Sequence, residues 1–205
     1  MLTRTSTTKR LLPRAALRAA ILALAASLGA CSLIIPPKPS SIYDLKAPPA
    51  FTVRGTSSAQ LLVPTPTTLK SLDNNRIAAR PTEQEYAYLP QANWVDSLPR
   101  LLQTRLSETL QNTGRVHAAA VPGQGLLIDY QIIVDIRAFE LTREGAVADL
   151  DVKLMNDKTG RVVSSREFRA VAPVQGRAAE AVVAGLDQSM ASVFEQITNW
   201  VIGQT

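Results

Sequence analysis

The most regular stretch of the chain lies in its second half. In LLIDYQIIVDIRAFEL (126–141), Ile128, Tyr130, Ile132, Val134 and Ile136 take one side, and Asp129, Gln131, Asp135 and Arg137 take the other. AVADLDVKLM (146–155) repeats this pattern, setting Val147, Asp149, Asp151 and Lys153 against Ala148, Leu150, Val152 and Leu154. A period of two over such lengths predicts strands with one dry and one wet face. Residues 156–160 (NDKTG) form a strong turn signal, and RVVSSREFRAVAP returns from Arg161. Three successive strands joined by short connections predict an antiparallel meander.

Helical spacing marks two further segments. Leu98, Leu101, Leu102, Leu106 and Leu110 form one stripe, with Asp96 or Ser97 as the expected cap, Pro99 in the first turn, and Asn112 and Gly114 as the stop. A longer stripe runs from about 176 to 202 through Ala179, Val182, Val183, Leu186, Met190, Val193, Phe194, Ile197 and Val201. Short strands are expected at 42–45, 59–66, 74–81 and 86–89, and another around His117. The expected fold class is α+β: an antiparallel sheet with two amphipathic helices packed on one face.

The N-terminus follows different rules. Arg4, Lys9, Arg10, Arg14 and Arg18 precede an apolar run from Ala19 to Ala30, and no acidic residue occurs before Cys31. The run is shorter than the about 20 residues a spanning helix needs. A basic segment, a short apolar segment and small residues at its end read as a secretory signal over residues 1–30. The only cysteine stands at the end of Leu28-Gly29-Ala30-Cys31, which resembles the lipobox of bacterial lipoproteins. A nucleophilic thiolate there accepts the lipid as a thioether, so Cys31 is the expected lipidation site and the link to the membrane. Residues 31–41, with Pro36, Pro37 and Pro39, read as the lipidated cysteine and its tether. Residues 42–205 suit a single periplasmic domain. The five basic residues before Cys31 account for the whole net charge of +5, so the segment after it is neutral and gives no reason to expect nucleic acid.

Candidate chemistry is sparse. His117 is the only histidine and Cys31 the only cysteine, too few for a site built on several His or Cys ligands. Asp149 and Asp151 share a strand face, as alternating residues on a wet face do. Pro122-Gly123-Gln124-Gly125 leads into a strand and not a helix, so it reads as a turn and not a phosphate loop. Trp94 and Trp200 are expected to close the core at helix ends, and Tyr86 and Tyr88 to share a strand face. No catalytic residue, metal site or cofactor site is indicated, and an enzyme is the poorest reading.

The order of these features carries a resemblance. A lipobox Cys31 and a proline-rich tether lead into a Tyr43-Asp44-Leu45 strand. RIAARPTEQEYAYLPQANW (76–94) follows, then the leucine-striped helix, IIVDIRAFEL (132–141) and a long last helix ending in ITNWVIG (197–203). Together they resemble the ABC-type transport auxiliary lipoprotein family, with Arg76 to Arg80, Trp94 and Phe139 the strongest matches. The resemblance implies a non-enzymatic accessory of a lipid transport system. Its partner there is a mammalian-cell-entry (MCE) domain protein, and its place is the periplasmic leaflet of the outer membrane. Ser32, where Asp would act as an inner-membrane retention signal, is consistent with that place. A homo-oligomer is left open, and an assembly chaperone or a periplasmic lipid carrier is the alternative.

Overall fold

The computed structural model describes residues 39–205. The segment expected as a signal, Cys31 and most of the tether lie outside the described residues. In chain order the elements are β1 (Ser41–Tyr43), β2 (Ser57–Leu62), β3 (Thr67–Thr68), β4 (Arg76–Ala79), β5 (Ala87–Trp94), α1 (Leu98–Asn112), β6 (Val116–Ala120), β7 (Tyr130–Leu141), β8 (Ala146–Asn156), β9 (Arg161–Ala172) and α2 (Ala179–Gln204). Among the described residues all nine strands belong to one sheet.

The meander forms as its pattern predicts. β8 pairs antiparallel with β7 on one side and with β9 on the other. Ile132, Val134, Ile136, Leu150, Val152, Leu154 and Phe168 are buried on the inner face. They join one apolar cluster with the leucine stripe of α1 and with Val182, Leu186, Met190, Val193, Phe194, Ile197 and Val201 of α2. α2 lies on β8 and β9, with α1 beside it. Gly185 sets the close approach of α2, since a Cβ there would sit 2.6 Å from Val174 Cγ2 and 2.9 Å from Ala146 Cβ.

The expectation of an antiparallel sheet is corrected on the other edge of β7. There, three short strands follow one another in the same direction as β7. β2 meets its start (Leu61 opposite Tyr130), β3 its middle (Thr67 opposite Asp135) and β4 its end (Ala78 opposite Glu140), all parallel. β6 extends β2 in parallel, β5 pairs antiparallel with β4, and β1 runs parallel to β5. The sheet is therefore mixed. Alternation reports which face of a strand is buried and says nothing about the direction of its neighbour. The strand expected over 59–66 divides at Pro64 and Pro66, which have no N–H to give a ladder.

A second correction concerns phase. Ile136 lies opposite Leu150, but Ala138 lies opposite Asp149, so Arg137 is an extra residue in the ladder. This β-bulge reverses the alternation: beyond it Phe139 is buried among the core residues, and Glu140 takes the outer face. The first helix starts and stops where its expected cap and stop residues place it. Trp94 ends β5, and α1 begins at Leu98 with Pro99 in its first turn. Ser97 holds the cap position without a side-chain cap bond. Instead the Leu98 N–H donates to the Asn74 carbonyl at 2.9 Å.

Candidate functional site

The outer face of the sheet carries charge where the inner face carries leucine and valine. Asp151 accepts from Lys153 at 2.8 Å and lies 3.4 Å from Arg137, which also pairs with Glu167. The hydrogen bond from Lys153, with the neighbouring cations, holds the Asp151 carboxyl below the usual range. Asp149 is different. It lies 4.0 Å from Arg169 Nε, its Oδ1 is buried without a hydrogen-bond partner, and burial together with the charge of Glu167 pushes its pKa up. Asp149 and Asp151 thus share a face, as their spacing predicts, with Arg137 acting on both.

The charge pattern tightens where β4, β5 and the end of β7 meet. The bulge at Arg137 turns Glu140 outward, yet its side chain is only 2% exposed. Such a carboxylate requires a paired cation, and β4 supplies it. Arg80 N–H donates to the Leu141 carbonyl at 2.7 Å, extending the β4–β7 ladder. That places the Arg80 guanidinium on Glu140 through Nε at 2.5 Å and Nη2 at 3.4 Å. Arg80 also lies 5.1 Å from the centre of the Tyr86 ring, and Arg76 lies 3.5 Å from that of Tyr88. The two tyrosine rings meet edge to face at 5.7 Å. The Tyr86 hydroxyl is buried, and burial plus the Glu140 charge pushes its pKa up, so the phenol stays neutral. Behind this cluster Trp94 packs on Phe139 at 5.7 Å. The residues from Arg76 to Trp94 and from Phe139 to Glu140 therefore form one unit of ion pair, cation–π contacts and aromatic packing.

Two open grooves flank Arg80 and Arg143. The one on the outer sheet face, about 570 Å³, mixes signs, with Glu140, Glu144 and Asp149 beside Arg80, Arg143 and Arg169. The other, about 500 Å³, is lined by Tyr88, Leu89, Pro90 and Leu141 together with Arg80, Arg143 and Arg177, and no carboxylate contributes to it. Sequence reasoning placed no function on Glu140, Arg143 or Arg177. Glu140 closes an apolar run whose phase changes at an unmarked bulge, and Arg143 and Arg177 lie in separate turns that only the folded sheet brings together.

The other residues of interest stay apart from this cluster. Cys31 lies outside the described residues. His117 is exposed on β6. Gly123 and Gly125 have positive φ in a turn that leads to β7. Trp200 is half-buried against Phe168 at 5.5 Å. Among the described residues no group of three His, Cys, Asp or Glu side chains is placed to hold a metal ion. No described helix is long and apolar enough to cross a membrane.

The chain has relatives in sequence and in fold. The crystal structure of protein XCC0632 from Xanthomonas campestris is 27% identical with a TM-score of 0.75, covering 80% of this chain and 97% of that one. A second solved structure, of an uncharacterized protein at 20% identity and TM-score 0.63, covers 80% of this chain and 99% of its own, and shares the fold. An uncharacterized protein of Bradyrhizobium diazoefficiens is 29% identical over 164 residues, or 78% of this chain, and the chain spans 44% of that relative's length. The model of the ABC-type transport auxiliary lipoprotein component matches residues 43–198, from the end of β1 to near the end of α2, and the chain belongs to that family.

Proposed function

We propose that this protein is a non-enzymatic docking subunit of an MCE-type ABC lipid transport system. It is held at the periplasmic face of the outer membrane by lipid on Cys31, and it receives the envelope-spanning MCE component. The family is a transport component and not a catalytic one, which supports a binding role. The observation that carries the reading is the packing between sheet and helices. Ile132, Leu150, Val152, Leu154, Val182, Leu186, Val193 and Ile197 meet there fully buried. Side chains fill the space in which a carrier of this layout would hold acyl chains, and that leaves the surface as the working part.

Two measurements test the proposal. The lipidated chain should co-purify from its own cells with an MCE-domain protein, and the purified chain should not retain phospholipid stoichiometrically by mass spectrometry. One-to-one lipid retention without such a partner would replace docking by carriage. The anchor is tested separately. Intact mass of the membrane-extracted protein should show acylated Cys31 as the mature N-terminus, and Cys31→Ala should give an unacylated product. Fractionation with outer-membrane markers is expected, with Ser32 following the lipidated cysteine. Recovery with inner-membrane markers alone would overturn that location.

A further inference from the structure

Within the docking reading, we infer that the groove between β5 and the β7–β8 turn is the recognition site, and that its occupant is an acidic, extended segment of a partner protein. Three features of the structure point to it. The first is charge. Arg80, Arg143 and Arg177 line the groove, and no Asp or Glu does. Arg80 is neutralised from behind by Glu140. Arg143 is not: its Nε donates to the Pro81 carbonyl at 3.0 Å, which fixes the guanidinium and leaves the Nη fork without a carboxylate among the described residues. Arg177 is exposed in the turn before α2 and has no ion pair among the described residues. Elsewhere on the sheet's outer face Arg137 pairs with Glu167 and Arg169 with Glu144. Planar forks of this kind recognise carboxylates through paired hydrogen bonds.

The second feature is shape. The groove is open, about 500 Å³, with Leu89, Pro90 and Leu141 among its apolar lining. A trough of that size covers a few side chains of an extended peptide. It is too small and too open to enclose the acyl chains of a phospholipid. The third is the backbone. β1 pairs with β5 only at Ala92, Asn93 and Trp94, so among the described residues no strand covers the side of Ala87 to Leu89 that faces away from β4, and the open edge is short because Pro90 has no N–H and Gln91 has a φ of 53°. An uncovered strand edge beside a cationic, partly apolar groove favours a segment that adds as a strand and presents acidic side chains to the arginines.

The test uses the lipidated mature chain in non-ionic detergent. The probe is a dye-labelled peptide that alternates glutamate with leucine, read by fluorescence anisotropy beside the same peptide with lysine for glutamate. The acidic peptide is expected to bind, and the lysine version at least tenfold more weakly. Arg143→Glu with Arg177→Glu should weaken the acidic peptide at least tenfold while circular dichroism shows the chain still folded. Arg161→Glu, at the start of β9 and outside the groove, should leave binding unchanged. Absence of binding by the acidic peptide, or equal binding by the double variant, overturns the assignment. So does binding of mixed micelles containing phosphatidylglycerol in place of the peptide through the same arginines. Co-purification with the MCE protein separates the two proposals. If the wild type co-purifies and the double variant does so equally well, the groove assignment fails and docking stands. If the wild type itself does not co-purify, docking fails whatever the peptide does.

Discussion

The two edges of β7 are built on different plans. On one, β8 runs antiparallel along the whole strand from Tyr130 to Leu141. On the other, β2, β3 and β4 share that length in sequence, separated by prolines and by a turn at 69–75. A long amphipathic neighbour fixes register through every second side chain, because a slip of one residue would turn the whole apolar set to water. Three short neighbours give little register of their own. They are held by what attaches to them: the β5 hairpin, Trp94 against Phe139, and Arg80 on Glu140. The long-strand flank is thus fixed mainly by packing, and the short-strand flank by a few specific contacts. The arginine groove lies on the second.

This contrast is broken most directly at Trp94. If the short-strand flank were an appendage, losing this side chain would matter little. Because Trp94 is 2% exposed and packs on Phe139 across two strands, Trp94→Ala is expected to cost about 3–5 kcal/mol, read as a lower urea midpoint. A cost below about 1 kcal/mol would make the flank independent of the core. Arg80→Met comes next. It leaves Glu140 buried and unpaired, but Arg80 itself is 36% exposed, so the expected cost is about 2–3 kcal/mol. Adding Glu140→Leu should recover much of it, since replacing both members by apolar groups removes the unpaired charge. Thermal unfolding of the single and double variants checks this. In the long-strand flank the equivalent probe is Gly185→Ala, whose Cβ would press on Ala146 and Val174. Overpacking there is expected to cost about 1–3 kcal/mol, with no change in peptide binding at the groove.

Legibility in the sequence followed the same division. The meander, both helices and the core stripe could be read because each is long enough for its period to repeat. The bounds of β7 to β9 and of α2 lie close to those expected. The direction of β2, β3 and β4 could not be read, since a strand of two to six residues has too few positions to name its neighbour. The bulge at Arg137 has no residue signal, and without it Phe139 falls on the wrong face. The cluster was legible only as a resemblance: Arg76, Arg80, Trp94 and Phe139 matched a family pattern. Glu140, which explains why an arginine stands at position 80, was not singled out, because a burial of 2% is a property of the fold. Arg143 and Arg177 were silent for the same reason.

The smallest expected effect lies where the two flanks meet. Asp149 stands opposite the bulge, lines the mixed-sign groove and is 17% exposed. Burial is the main reason its pKa is raised, with the charge of Glu167 adding to it. A raised carboxyl pKa means the folded state binds the proton more tightly than the unfolded state. Stability contributed by this group is therefore lost as pH rises from the unfolded value, about 3.9, through the folded one, and the deficit is complete above it. Asp149→Asn removes the charge and with it the deficit. The variant should be more stable than wild type at pH 7, by less than about 1 kcal/mol because solvent and the nearby cations screen the site. The difference should close as pH falls below the unfolded value. Arg169 loses little, since it keeps Glu144 at 2.8 Å. Paired thermal melts at pH 7 and near pH 3.5 decide the point. A variant less stable than wild type at pH 7 would mean that attraction to Arg169 and Arg137 outweighs burial, and that the outer face of the long-strand flank, like the short one, is held by ion pairs.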